Sequence, residues 1–141
     1  MPDCIICSIV ESRTSARVVY QDEWAVAFLE LRPSAPGHTL LVPRRHVSRV
    51  EELTPDEARG LFAALHCLLL VVSHAVGAEA TTIGINNGPG SGQHIPHVHI
   101  HIIPRSSGDG GGIIQTIVRS PSRMDPDEIA KKIRDTLAYS A

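Results

Sequence analysis

The segment QHIPHVHIHIIPR, residues 93–105, constrains this chain more than any other, because it sets His97, His99 and His101 at every second position. Alternation at period two belongs to a strand, whose successive side chains leave opposite faces. The three imidazoles therefore share one face, and Val98, Ile100 and Ile102 share the other. One face suits a core and the other suits chemistry. Pro96 and Pro104 bracket the run and lack the N–H that a ladder uses, which predicts a strand over residues 97–103. Half of the chain's eight histidines lie in the eight positions from His94 to His101, a density that composition alone does not produce.

A chain of 141 residues has material for one core and not two, so a single domain over 1–141 is expected. A net charge of −2 and a pI near 6.4 give no general attraction to nucleic acid or to an anionic membrane, and neither is an expected partner. A negatively charged ligand then has to be held by a local site. No apolar run reaches transmembrane length, and MPDCIICSIV lacks a basic stretch ahead of a long apolar one, so the chain reads as cytoplasmic. Three cysteines, an odd number with no secretion signal, argue against a disulfide scaffold. Cys67, inside an apolar helical run, reads as a core residue.

Alternating or β-rich runs at residues 17–20, 24–29, 38–42, 82–86 and 98–103 predict a mostly antiparallel five-stranded sheet. Between the third and fourth runs lies a helix signature over 55–76, with Thr54 as N-cap, Pro55 at the first helical position, Glu57 closing a capping box and Gly77 at the end. Ala58, Leu61, Phe62, Leu65, Leu69, Val72 and Val76 recur at helical spacing as its buried stripe. Leu68, Leu70 and Val71 widen that stripe, which fits either a broad monomer core or cover by a second subunit. A second helix is announced by Asp125, Pro126 and Glu128 and runs to about Leu137. Two helices on a five-stranded sheet make an α+β fold.

The stretch NNGPGSGQH, residues 86–94, carries three glycines that let successive N–H groups turn toward one point, an anion-binding nest suited to phosphate. It leads directly into the histidine strand, so amides and imidazoles converge. RSSGDGGG, residues 105–112, follows the strand and reads as a mobile surface loop. At the N-terminus, Cys4 and Cys7 have a spacing that lets two thiolates share one tetrahedral ion, although redox pairs share that spacing and two further ligands are needed.

The run from His97 to Ile103 resembles the His-φ-His-φ-His-φ-φ signature of the histidine-triad (HIT) nucleotide hydrolases and transferases. The resemblance extends to AFLELRPSAPGHTLLVPRRH, residues 27–46, with its Pro-Gly-His-x-Leu-φ-φ-Pro element, and to the Asn-x-Gly-x-x-x-Gly-Gln loop at 86–93. It covers most of residues 4–105 and weakens over the loop and helix of 106–141. It implies a HIT-like sheet, a homodimer joining two sheets into ten strands, and reaction at the α-phosphate of a purine nucleotide, with no catalytic metal. By position it implies His99 as nucleophile, with His101 and His38 beside it. Gly92, Gln93 and the loop amides would hold the phosphate, with Asn86 close by. Glu30, one methylene longer than the Asp of phosphoramidase-like members, would meet the ribose. His94 stands where several relatives carry Ser or Thr near the leaving group, either as a proton donor or facing water. Some bacterial members hold a structural zinc, which implies Cys4, Cys7, His46 and His97 as its ligands here.

Two other classes stay open on the residues alone. HxHxH on a strand also serves catalytic metals, although no histidine follows His101 to complete such a site. A nucleotide-binding regulatory module without turnover would carry the same motifs.

Overall fold

The computed structural model describes residues 3–140. Five strands, β1 (Val18–Gln21), β2 (Ala25–Leu29), β3 (Thr39–Pro43), β4 (Ala80–Gly84) and β5 (Ile100–Arg105), form one sheet of order β1-β2-β3-β5-β4. Every pairing in it is antiparallel. Among the described residues there are three α-helices, α1 (Ile5–Val10), α2 (Pro55–Val76) and α3 (Pro126–Ser140). The chain divides between Gly110 and Gly111 into two compact units, the first holding the sheet with α1 and α2, the second holding α3.

The third helix corrects the count of two and explains the burial of the central strands. On one side α2 packs Leu61, Ala64, Leu65, Leu68 and Val72 onto Ala25, Ala27, Leu41, Ile100 and Ile102. On the other, α1 packs Ile6, Cys7 and Ile9 onto Val26, Phe28, Leu40 and Val42. With both faces covered, β3 is buried at every position.

The ends of α2 match its sequence signature. The Thr54 hydroxyl accepts from the Glu57 N–H at 3.2 Å, and a Glu57 carboxylate oxygen accepts from the Thr54 N–H at 2.8 Å, while Gly77 closes the helix at φ 66°. Gly60 lets the helix approach the Trp24 ring, where any Cβ would collide. The buried stripe differs from the expected one, since Phe62 and Val76 are exposed, and Cys67 is exposed as well. Cys67 points away from the sheet, so it is not a core residue. At 22 residues α2 is also long and apolar enough to cross a membrane, against the expectation that no run reaches that length, although one of its faces packs on the sheet.

Pro104 lies inside β5 and does not end it, pairing with Thr81. The Arg105 carbonyl accepts from the Glu79 N–H, so Pro104 turns its missing donor to the other side, past Thr39, where pairing with β3 has stopped. At its other end β5 starts only at Ile100, so His97 and His99 precede the ladder. β4 ends at Gly84, earlier than residue 86.

Candidate functional site

The alternation persists through the histidine run even where the ladder does not. Val98, Ile100 and Ile102 enter the core under α2, and each is fully buried. His97, His99 and His101 face the other way, and each meets different partners.

His99 lines a cavity of about 150 Å³ with Ile5, Ile6 and Ile9 of α1, Phe28, Leu40 and Ile95, and with Glu30 and Arg17 among its polar residues. Its Nδ1 lies 2.7 Å from the His97 carbonyl. A carbonyl only accepts, so Nδ1 carries the proton and Nε2 keeps a free lone pair.

His101 sits opposite Leu40 in the sheet, beside His38 at the foot of β3. The Ser34 N–H donates to His38 Nδ1 at 3.1 Å, which puts the His38 proton on Nε2. That Nε2–H faces His101 Nδ1 at 2.9 Å and donates to it, which leaves His101 protonated on Nε2. One backbone amide thus sets two tautomers in series and turns an N–H outward from His101. Burial, and then the neighbouring His99 and His38, push the His101 pKa down to about 4, with Glu30 opposing. Burial likewise lowers that of His38, again opposed by Glu30. Both rings are neutral at physiological pH. The His99 and His101 rings lie 5.1 Å apart, and Glu30, His38 and His101 bring ligand atoms within 4.8 Å of one another.

His97 is fully buried and turns to α1. Its Nε2–H donates to the Pro43 carbonyl at 2.9 Å, which leaves Nδ1 as a lone pair aimed at Cys4 Sγ (3.6 Å) and Cys7 Sγ (3.5 Å). His46 Nδ1 lies 3.3 Å from Cys7 Sγ. For a tetrahedral ion at ordinary zinc bond lengths, a sulfur–nitrogen edge is about 3.6 Å. These four donors, all within 4.8 Å of one another, are spaced for such an ion, and the Pro43 carbonyl fixes the tautomer that a ligand needs. Burial holds the His97 pKa near 4, opposed by the Pro43 hydrogen bond. Burial, and then Cys4 beside it, push the Cys7 thiol up, and a divalent cation between them would reverse that by stabilising both thiolates.

The glycine loop is tied together by its own side chains. The Gln93 side chain accepts from the Gly88 N–H at 2.9 Å and donates to the Ser48 carbonyl at 2.8 Å, so its amide braces the loop from within. Gly88, at φ 96°, lies against the Arg49 guanidinium, and Gly92, at φ 94°, closes the turn by donating to Pro89. Asn86 is exposed. His94 borders an open groove beside Cys4 and His46, which shares Ile5 and Ile95 with the cavity that holds His99. Sequence reasoning missed Asn87, which accepts from Val50 N–H and donates to Glu51, bolting the loop to the segment before α2. The Asn-Asn pair opening the loop was its only signal. Residues 105–109 form a turn held by a bidentate Arg105–Asp109 pair.

The alternating histidines and the antiparallel five-stranded sheet fit the family that the sequence resembles. Residues 11–108 match the family described as HIT domain, and the chain belongs to it. An uncharacterised HIT-like protein of Methanocaldococcus jannaschii is 38% identical over 131 residues, 93% of this chain and 98% of that protein. The asymmetrical bis(5'-nucleosyl)-tetraphosphatase of Schizosaccharomyces pombe is 42% identical over 94 residues, 67% of this chain and 52% of that protein. A zinc-bound histidine triad family protein of Mycobacterium smegmatis has a solved structure that superposes with a TM-score of 0.72 at 27% identity, covering 98% of this chain and 95% of that one. Nucleotide hydrolases are thus among its relatives.

Proposed function

We propose that this protein is a nucleotide hydrolase or transferase that attacks the α-phosphate of a purine nucleotide through a covalent nucleotidyl-histidine. The observation that carries the reading is the His99 Nδ1–H bond to the His97 carbonyl, which reserves Nε2 for phosphorus. In the first step the Nε2 lone pair forms an N–P bond as the bond to the leaving-group oxygen or nitrogen breaks. In the second, water or another acceptor displaces the imidazole. The His101 Nε2–H, set by His38 and Ser34, donates to a phosphoryl oxygen as charge develops there. The apolar cavity under α1 takes the base, Glu30 meets the ribose hydroxyls, and Gly92, Asn86 and the loop braced by Gln93 flank the phosphate.

The three strand histidines do not share one metal ion in this reading, because His97 groups with the cysteines, His101 with Glu30 and His38, and the His99 Nδ1 proton is committed to a carbonyl. Cys4, Cys7, His46 and His97 hold a structural zinc, supported by the donor spacing and by the zinc-bound relative. The exposed Phe62, Leu70 and Val71 of α2 support a homodimer.

Diadenosine polyphosphates and adenosine phosphoramidate, offered to the purified protein with and without EDTA, test the reaction. Rapid quenching without acid is expected to trap a base-stable, acid-labile nucleotidyl group on one histidine, with chemistry that a brief exposure to EDTA does not stop. Turnover that EDTA abolishes at once, or turnover with no adduct, rejects the covalent route. Nucleotide binding with no turnover would make the protein a sensor.

A further inference from the structure

We infer that the metal cluster sets the geometry of the nucleophile through one residue, His97, whose ring belongs to the cluster and whose carbonyl holds His99. This rests on the reading of His99 as nucleophile and makes His97 a positioning residue.

Three observations converge on it. First, the sheet does not hold this segment, since the ladder to β3 begins at Ile100 and both His97 and His99 precede it. Second, apart from a local His97 N–H bond to the Ile95 carbonyl, what fixes residues 97–98 comes from the cluster and its immediate neighbours. The His97 ring is gripped between Cys4, Cys7 and the Pro43 carbonyl, and Val98 N–H donates to the Val47 carbonyl at 2.8 Å, one residue beyond His46. The two histidines of the cluster therefore flank the one backbone bond tying residues 47 and 98. Third, the carbonyl of that same His97 is the acceptor for His99 Nδ1. A metal ion joining the four donors would draw residues 46–47 and 97–98 together and aim that carbonyl. With the four donors unjoined, the peptide after His97 is held only by the Val98–Val47 hydrogen bond, and His99 is freer to carry its proton on Nε2, where it cannot attack. The cluster thus acts on the chemistry while touching none of the substrate.

The test reads the tautomer directly. Protein labelled with ¹⁵N-histidine is examined by long-range ¹H–¹⁵N correlation as the zinc-loaded form and after zinc is removed by a chelator, with His99→Asn assigning the His99 signals. The zinc-loaded form is expected to show His99 as one Nδ1–H species and the metal-free form as a mixture of tautomers. In parallel, kcat is expected to fall at least about tenfold on zinc removal, the size typical of lost outer support, while the Kd for AMP stays nearly constant. A single unchanged Nδ1–H signal in folded, metal-free protein overturns the inference, as does protein that takes up no zinc. If the metal-free protein unfolds, the order of events after chelator addition decides. Activity lost with zinc release and ahead of the Trp24 fluorescence change supports the coupling, whereas activity lost only with unfolding overturns it. Zinc-loaded protein that turns over no nucleotide refutes the proposed reaction, and the tautomer comparison still decides the coupling.

Discussion

Under α2 the sheet presents Ala25, Ala27, Leu41, Ile100 and Ile102, all apolar and all buried; under α1 the same strands present Val26, Phe28, Leu40 and the histidines. The first face meets a helix of 22 residues, the second a helix of six. A six-residue helix is too short to be stable by itself. What holds α1 in place is the burial of Ile6, Cys7 and Ile9 together with a cluster of polar donors. The difference teaches that one extended segment divides stability from chemistry at single-residue resolution: Ile100 belongs to the core and its neighbour His99 to the cavity. Adjacent substitutions should therefore have opposite effects.

The largest expected effect is at His99. His99→Asn keeps a polar group of similar reach and removes the nucleophile, so turnover should fall by about a thousandfold or more, with nucleotide still bound and the melting temperature close to that of the wild type. The comparison breaks if the variant melts well below wild type, because His99 would then be part of the core.

The reciprocal change is one residue on. Ile100→Ala empties a fully buried position and should cost about 2–5 kcal/mol, lowering Tm by roughly 10 °C for a chain of this size. Measured well below that Tm, kcat should be unchanged. A fall in kcat as large as that of His99→Asn would show that the two faces are not separable.

Much of this is legible in the sequence, and the exceptions have physical causes. The alternation at 97–102 survives although the ladder starts late, because side-chain direction follows the extended backbone and not the pairing. The caps of α2 were readable because capping is local chemistry, confined to Thr54, Pro55, Glu57 and Gly77. Alpha1 was not, since six residues span less than two turns and show no periodicity, and CxxC is readable only as spacing. Cys67 was misplaced because α2 is apolar on more sides than it packs, so a hydrophobic neighbourhood did not imply burial. The Gln93 side chain braces Gly88 and, 45 positions away, Ser48, a long-range partnership that no local pattern announces.

The smallest expected effect sharpens the comparison by pH, because the two faces should lose stability in different windows. The His101 pKa is held near 4 in the folded protein, chiefly by burial, against an ordinary 6.5. Between those values the unfolded chain binds the proton and the folded one does not, so the contribution of neutral His101 is complete above pH 6.5 and is lost as pH falls through about 4. Glu57, at the cap of α2, is held near 2 against 4.5, first by the Arg45 guanidinium and then by the Thr54 N–H. Its contribution is complete above pH 4.5 and is lost only as pH falls through about 2. Both groups are partly solvated, which keeps each effect modest. On acidification the histidine face should therefore weaken first and the α2 cap later. Chemical denaturation from pH 7 to 3 checks the order: His101→Gln should flatten the slope between pH 6.5 and 4 and leave the steeper fall below 4.5, while Glu57→Gln should do the reverse. If His101→Gln leaves the upper slope unchanged, that ring is not buried as neutral imidazole, and the relay from Ser34 through His38 needs a different proton count.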